Sequence, residues 1–111
     1  MIINHELLAD GILKVTLDGS LDLAGSQILA DFFETLPENA ERIVVDLGAV
    51  DYLGSPGIRV LVQAAKALHA SGCKLIAVNV GEPARRVMWT TGLDTIVPVA
   101  DDEKAAMRSV A

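Results

Sequence analysis

The first part of the chain alternates hydrophobic and polar positions in a way that predicts a β-hairpin. Residues 13–17 place leucine or valine at every second position, with Lys14 and Thr16 between them, as in a strand with one buried face. Asp10-Gly11 just before this run is a dipeptide typical of hairpin turns. Residues 19–22, Gly-Ser-Leu-Asp, are expected to end the strand.

Beyond residue 23 the pattern switches repeatedly between helical and strand-like spacing. Hydrophobic residues recur at three- and four-residue intervals within residues 24–36, and Pro37 is expected to stop that helix. Further helices are expected from about residue 55 to Gly72, from about residue 82 to Gly92, and after the acidic run 101–103. Continuous apolar runs predict three more strands, at residues 42–47, 74–78 and 95–99, with a loop at residues 48–54.

The resulting order, β-β-α-β-α-β-α-β-α, predicts an α/β fold. Such alternation gives a mixed, mainly parallel sheet with helices packed against it, here an N-terminal hairpin followed by four helices. The 111 residues are sufficient for one domain, so residues 1–111 are interpreted as a single unit.

Charge and composition narrow the classes of partner. The formal net charge is −6, which disfavours binding to the phosphate backbone of a nucleic acid. The single cysteine excludes an internal disulfide, and no Cys/His cluster suggests a metal. The sequence shows neither a signal peptide nor an apolar run of about 20 residues. We therefore expect a cytoplasmic protein that does not insert directly into a membrane.

Residues 54–57, Gly-Ser-Pro-Gly, are the best candidate for a functional site. Ser55 is expected to be the N-cap of a helix, with Pro56 at the first helical position. A helix start tolerates an added phosphate, and Gly54 and Gly57 leave the hydroxyl unshielded by neighbouring side chains. The simpler alternative is that Ser55 does no more than cap the helix.

Three aspartates are candidates for an acidic rim around Ser55. Asp22, Asp46 and Asp51 all follow or end expected strands, and the ends of parallel strands can converge at one edge of a sheet. Alternatively, each is a turn residue or a helix cap.

No motif indicates catalysis. His5 and His69 have no evident relation to Ser55, and there is no Gly-x-Ser-x-Gly elbow. The glycine-rich phosphate-binding patterns Gly-x-x-x-x-Gly-Lys-Ser/Thr and Gly-x-Gly-x-x-Gly do not occur in the sequence. We therefore expect a binding module that uses no cofactor and is not an enzyme.

Four segments together resemble the STAS domains, a family that includes bacterial anti-sigma factor antagonists. These segments are residues 19–22, 43–47, 51–61 and 83–93. The resemblance implies an antagonist that binds an anti-sigma factor, itself an ATP-dependent serine kinase, and thereby releases a sigma factor. It also implies that the kinase phosphorylates Ser55, which weakens the complex, and that a PP2C-type phosphatase restores it.

The residues expected to contact such a partner surround Ser55. By the resemblance, Asp22 lies close to the phosphoacceptor and Asp46 lies on the strand leading to it. Many family members carry Asp-Ser-Ser-Gly where this chain has Gly54-Ser55-Pro56-Gly57. The predicted partner surface comprises Asp22, Asp46, Asp51, Gly54, Ser55, Pro56 and Gly57.

Two other functions are compatible with the sequence. One is a STAS-like scaffold without a phosphorylation switch, in a signalling assembly or as an accessory subunit of a membrane transporter. The other is a small enzyme or a receiver-like domain phosphorylated on aspartate, although Asp18 and Asp22 are poorly placed as an acidic pair and Lys104 lies in an expected helix.

Overall fold

The fold is built on one five-stranded sheet, with three α-helices in the described residues. A computed structural model describes residues 1–37, 40–102 and 104–105. The strands are β1 (Ile2–Leu7), β2 (Ile12–Leu21), β3 (Arg42–Leu53), β4 (Lys74–Val78) and β5 (Val99–Ala100). The helices are α1 (Leu23–Glu34), α2 (Ser55–Ala70) and α3 (Glu82–Thr91).

The strands lie in the order β1-β2-β3-β4-β5, and the predicted mixed α/β architecture is confirmed. β1 and β2 form the antiparallel hairpin, and every later neighbouring pair is parallel. Asp10 and Gly11 both have positive φ, 65° and 72°, as the predicted tight turn requires. Each parallel connection passes through a helix, as the alternating pattern indicates.

The core follows from the strand alternation. Side chains at every second position of β2, β3 and β4 pack with Leu29 of α1, Leu61 of α2 and Met88 of α3 in one continuous cluster. The opposite face of the sheet carries a smaller buried cluster that includes Val44 and Ile76. Residues on both faces of β3 are therefore buried, as its continuous apolar run predicts.

β2 and β3 are both longer than the sequence pattern indicates. The expected strand break at residues 19–22 and the expected loop at residues 48–54 are both wrong, because the two strands remain paired up to Leu21 and Leu53. Two register shifts, after Thr16 and after Gly19, let the pair bend while it stays hydrogen-bonded. Gly19 has a φ of 127°, which favours glycine at this bend.

The C-terminal part differs in detail from its prediction. The strand predicted at residues 95–99 is wrong except at Val99, because the last strand is the short β5 and Leu93–Thr95 form a 3₁₀ turn. Pro98 lacks an N–H, but its carbonyl oxygen accepts a hydrogen bond of 2.9 Å from the Ala77 amide, so it serves the sheet as an acceptor.

The described residues form three α-helices where four are predicted. The fourth is expected after residue 101. Lys104 and Ala105 are helical, and the remainder of that prediction lies outside the described residues.

Candidate functional site

The candidate site lies where β2 and β3 end together. Leu21 and Leu53 are the last paired residues, and the Gly54 amide donates a 3.2 Å hydrogen bond to the Leu21 carbonyl oxygen. The chain then turns into α2, whose first residue is Ser55. Asp22, the N-cap of α1, directly follows Leu21, just as Gly54 directly follows Leu53 and precedes α2. The starts of α1 and α2 therefore lie side by side at this corner.

Ser55 is the first residue of the helix and not its N-cap, so the sequence prediction is wrong by one position. Gly54 holds the cap position, with φ −94° and ψ 175°, and the helix has no side-chain cap. The Gly54 carbonyl oxygen accepts the first hydrogen bond of the helix, from the Ile58 amide at 3.0 Å. Ser55 is exposed, and its hydroxyl makes no hydrogen bond within the described part of the chain. The hydroxyl is therefore not held by the fold.

Tyr52 covers the residue immediately before the serine. A Cβ built on Gly54 would lie 2.8 Å from Cε2 and 2.9 Å from the hydroxyl oxygen of the Tyr52 side chain. The ring thus occupies the space into which any side chain at position 54 would extend. With 57% of its surface exposed, Tyr52 presents an aromatic surface beside Gly54.

Gly57 lets α2 approach the end of β2 closely. A Cβ at this position would lie 2.7 Å from the Leu21 Cβ and 3.1 Å from Cδ1 of Leu53. Both leucines are buried, so little space is available for either to move away. Gly57 therefore fixes the distance between the helix that carries Ser55 and the sheet beneath it.

Asp22 and Asp51 lie at this corner, as the sequence predicts. Asp22 is the N-cap of α1, and its Oδ1 accepts a 2.8 Å hydrogen bond from the Gly25 amide. Oδ1 of Asp51 accepts a 2.6 Å hydrogen bond from the Ser20 hydroxyl, which joins the ends of β2 and β3. Both carboxylates are on exposed residues, so they contribute negative charge next to the start of α2.

Asp46 does not belong to this corner, which corrects the predicted rim of three aspartates. It pairs with Thr16 and Val78, seven residues before Leu53, or roughly 20 Å along an extended strand. Its Oδ1 accepts from the Gly48 amide at 2.8 Å and its Oδ2 from Asn79 Nδ2 at 3.0 Å. Asp46 thus holds the chain where β4 ends.

Several residues of the corner were not identified from the sequence. Ser20 and Tyr52 lie in strand extensions that the pattern did not show, and Leu23 is 77% exposed at the start of α1. Gly25 is required because a Cβ there would lie 2.0 Å from the Ser20 carbonyl oxygen. The sequence did contain one signal for this close approach: Gly25 comes three residues after Asp22, at the start of a helical pattern.

The two histidines lie away from Ser55. The ring of His5 on β1 contacts Phe32, with 5.3 Å between ring centroids. His69 is in the last turn of α2, about 20 Å from Ser55 at the helical rise per residue. Neither is placed to act as a base for the serine.

The described residues provide neither a metal-binding cluster nor a membrane-spanning helix. They contain no group of three or more His, Cys, Asp or Glu side chains that could hold a metal ion. None of the helices they form is long and apolar enough to cross a membrane.

Comparison with known proteins supports one family throughout the chain. The model of the STAS domain matches residues 8–106. The chain is 33% identical over 98 residues to BtrV of Bordetella bronchiseptica, whose name assigns it provisionally to the anti-sigma factor antagonists; the match covers 87% of this chain and 84% of BtrV. It is 30% identical over 86 residues to RsfB of Mycobacterium tuberculosis, named an anti-sigma-F factor antagonist, with 77% and 70% covered.

A solved structure agrees with this result. The crystal structure of an anti-sigma factor antagonist from Mycobacterium paratuberculosis superimposes with a TM-score of 0.87 at 26% identity. The superposition covers 98% of this chain and 92% of that one, so the two folds agree over almost their full length.

Proposed function

The chain belongs to the STAS domain family, and on that premise we propose that it is an anti-sigma factor antagonist switched by phosphorylation of Ser55. In its unmodified form it binds an anti-sigma factor that is also a serine kinase, and this binding frees the sigma factor for transcription. The relatives named as anti-sigma factor antagonists support the general role.

One observation carries the choice of Ser55: its hydroxyl is exposed at a helix start and makes no hydrogen bond within the described residues. A kinase active site needs such access, because the serine oxygen must reach the γ-phosphorus of ATP in line with the leaving ADP. The oxygen gains the phosphoryl group, the hydroxyl proton is released and ADP departs. In this proposal the kinase supplies the catalytic groups and the chain supplies the acceptor serine, so the proposed role is non-enzymatic.

The proposed partner surface surrounds this serine. It comprises Asp22, Asp51 and residues 54–57, with the exposed side chains of Leu23 and Tyr52 beside them. Exposed apolar and aromatic groups next to a polar centre are typical of protein interfaces. Asp46 is left out because it lies seven residues before Leu53 on β3, roughly 20 Å from this corner.

Charge explains how phosphorylation would release the partner. A phosphate on Ser55 adds between about −1.5 and −2 charges at neutral pH. It would do so beside Asp22 and Asp51, on a chain whose net charge is already −6. A partner surface that accepts the neutral hydroxyl would then have to accommodate a bulky dianion, which lowers its affinity. Removal of the phosphate by a PP2C-type phosphatase in the cytoplasm would reset the switch.

A second candidate function is a STAS scaffold without phosphorylation, in a signalling assembly or with a membrane transporter. Two features of the local sequence favour it: Gly54 lies where the resemblance implies an acidic residue in many family members, and Pro56 follows the serine directly. A kinase that recognises the backbone amide after its serine would find no donor there.

A pull-down from extract of the native cells separates the two functions. Wild type, Ser55→Ala and Ser55→Glu serve as bait side by side, and captured proteins are identified by mass spectrometry. We expect wild type and Ser55→Ala to capture a histidine-kinase-like ATPase, and Ser55→Glu to capture at least about tenfold less, a difference of about 1.4 kcal/mol in binding. Equal capture by all three baits, or capture of transporter subunits, would favour the scaffold.

A further inference from the structure

Arg59 lies one helical turn after Ser55 on the exposed side of α2. Exposed positions recur along this helix at Ser55, Arg59, Gln63 and Lys66, so these residues form one solvent-facing stripe. Residues four apart on a helix are neighbours, with about 5–6 Å between their Cβ atoms. Arginine is long enough to span that distance and contact a group attached to the serine.

The direction of helical side chains favours this contact. Each Cα–Cβ bond in an α-helix tilts towards the N-terminus, and a long side chain covers the turn that precedes its own Cα. For Arg59 that preceding turn begins with Ser55 and Pro56.

Arg59 also has no ionic partner among the described residues, unlike the two arginines of α3. Arg85 lies 4.0 Å from Asp101, and Arg86 lies 3.6 Å from Glu82. No acidic side chain within the described residues forms a salt bridge with the Arg59 guanidinium. An unpaired arginine one turn from a phosphoacceptor is available for a charge-assisted bond.

Apart from the backbone amides at the start of α2, the surroundings of Ser55 give a phosphate few other partners. Asp22 and Asp51 are negative and repel it, and Pro56 has no N–H to donate. The first turn of α2, residues 55–58, carries no cationic side chain. Among the described groups at this corner, Arg59 is the one with both the charge and the donors that match a phosphate.

We propose that Arg59 pairs with the phosphate once Ser55 is phosphorylated and thereby stabilises the phosphorylated form. The inference rests on the proposed function, since it gives a role to a modification of the same serine. In the unmodified protein the guanidinium stays in solvent. After modification it would hold the phosphate against α2.

The second ionisation of the phosphoserine tests this pairing without any partner protein. Phosphoserine is introduced at position 55 by genetic encoding, in the full chain, and its ³¹P resonance is titrated between about pH 4 and 8 at low salt, around a usual pKa of about 6. Arg59 favours the dianion, so we expect a pKa about 0.3 to 0.7 unit lower in wild type than in Arg59→Gln. Asp22, Asp51 and Tyr52 are present in both proteins, so the difference reports on Arg59.

Matched variants separate direct pairing from general charge. Arg59→Lys should retain most of the wild-type shift, and Lys66→Gln, which removes a cation farther along the same stripe, should leave the pKa unchanged. Adding about 1 M salt, where the screening length is about 3 Å, should remove most of the difference between wild type and Arg59→Gln.

Wild type and Arg59→Gln titrating within about 0.1 unit of each other would overturn the pairing, since an exposed pair worth about 0.2 to 1 kcal/mol shifts the pKa by about 0.15 to 0.7 unit. An equal effect of Lys66→Gln would also overturn it. Because the phosphate is installed during translation, the result does not depend on whether a kinase acts on Ser55. Failure of the pairing and failure of the proposed switch are therefore distinguishable.

Discussion

Replacing Gly25 by alanine is expected to lower the free energy of unfolding by about 3 kcal/mol, at the upper end of the range for overpacked sites. The added Cβ would lie 2.0 Å from the Ser20 carbonyl oxygen and 3.2 Å from its carbonyl carbon. A backbone group cannot rotate away as a flexible side chain can. The gain of about 1 kcal/mol that alanine brings to a helix only partly offsets this clash.

Thermal unfolding checks the result. A loss of that size corresponds to a fall in melting temperature of roughly 12 °C for a chain of this length. Gly81→Ala is the matched control, because nothing lies within 4 Å of a Cβ there and its φ of −65° suits alanine. A Gly25→Ala protein as stable as this control would show that α1 does not pack against the end of β2 as described.

Gly57→Ala is expected to lower the free energy of unfolding by about 1 to 2 kcal/mol net, after the helix preference of alanine is counted. Here the contacts are with Leu21 and Leu53 side-chain atoms at 2.7 and 3.1 Å and with the Leu21 carbonyl oxygen at 3.2 Å. The shortest of these contacts is 2.7 Å, against 2.0 Å at Gly25, so the effect should be smaller than at Gly25. The helix would have to move outwards from the sheet and carry Ser55 with it.

Urea unfolding of Gly57→Ala against the Gly81→Ala control measures this effect. The midpoint should fall while the slope stays constant, since the change alters stability and not the surface exposed on unfolding. A midpoint equal to or above that of the control would contradict the close approach of α2 to the sheet.

Much of the fold was predictable because its signals are local. The Asp10-Gly11 turn, the helix-ending Gly72 and Gly92, and the apolar runs of β3 and β4 each reflect the preferences of a few neighbouring residues. The alternation of strands and helices then gives the parallel sheet. These features depend little on contacts between distant parts of the chain.

The extension of β2 and β3 could not be predicted from local pattern. Residues 48–54, which begin and end with glycine, are interpreted from the sequence as a loop. All but Gly54 form a strand because β2 continues beside them, through two register shifts, to the pair Leu21 and Leu53. That pairing joins residues about thirty positions apart, and no short stretch of sequence encodes it.

The candidate site was predictable in part for the same reason. The sequence places Ser55 at the start of a helix within one residue, since Pro56 and the helical spacing are local. The roles of Ser20, Tyr52 and Asp46 depend on which strand lies beside which. Asp46 in particular is near Ser55 in sequence but bonds to Asn79, 33 residues away.

The most direct test of the proposed switch is to map phosphate on Ser55. The chain is incubated with ATP and the ATPase that it captures, and its intact mass and peptides are then measured. We expect a single added phosphate on wild type, located on Ser55, and none on Ser55→Ala. Phosphate on another residue, or none on wild type while the ATPase remains bound, would contradict the account.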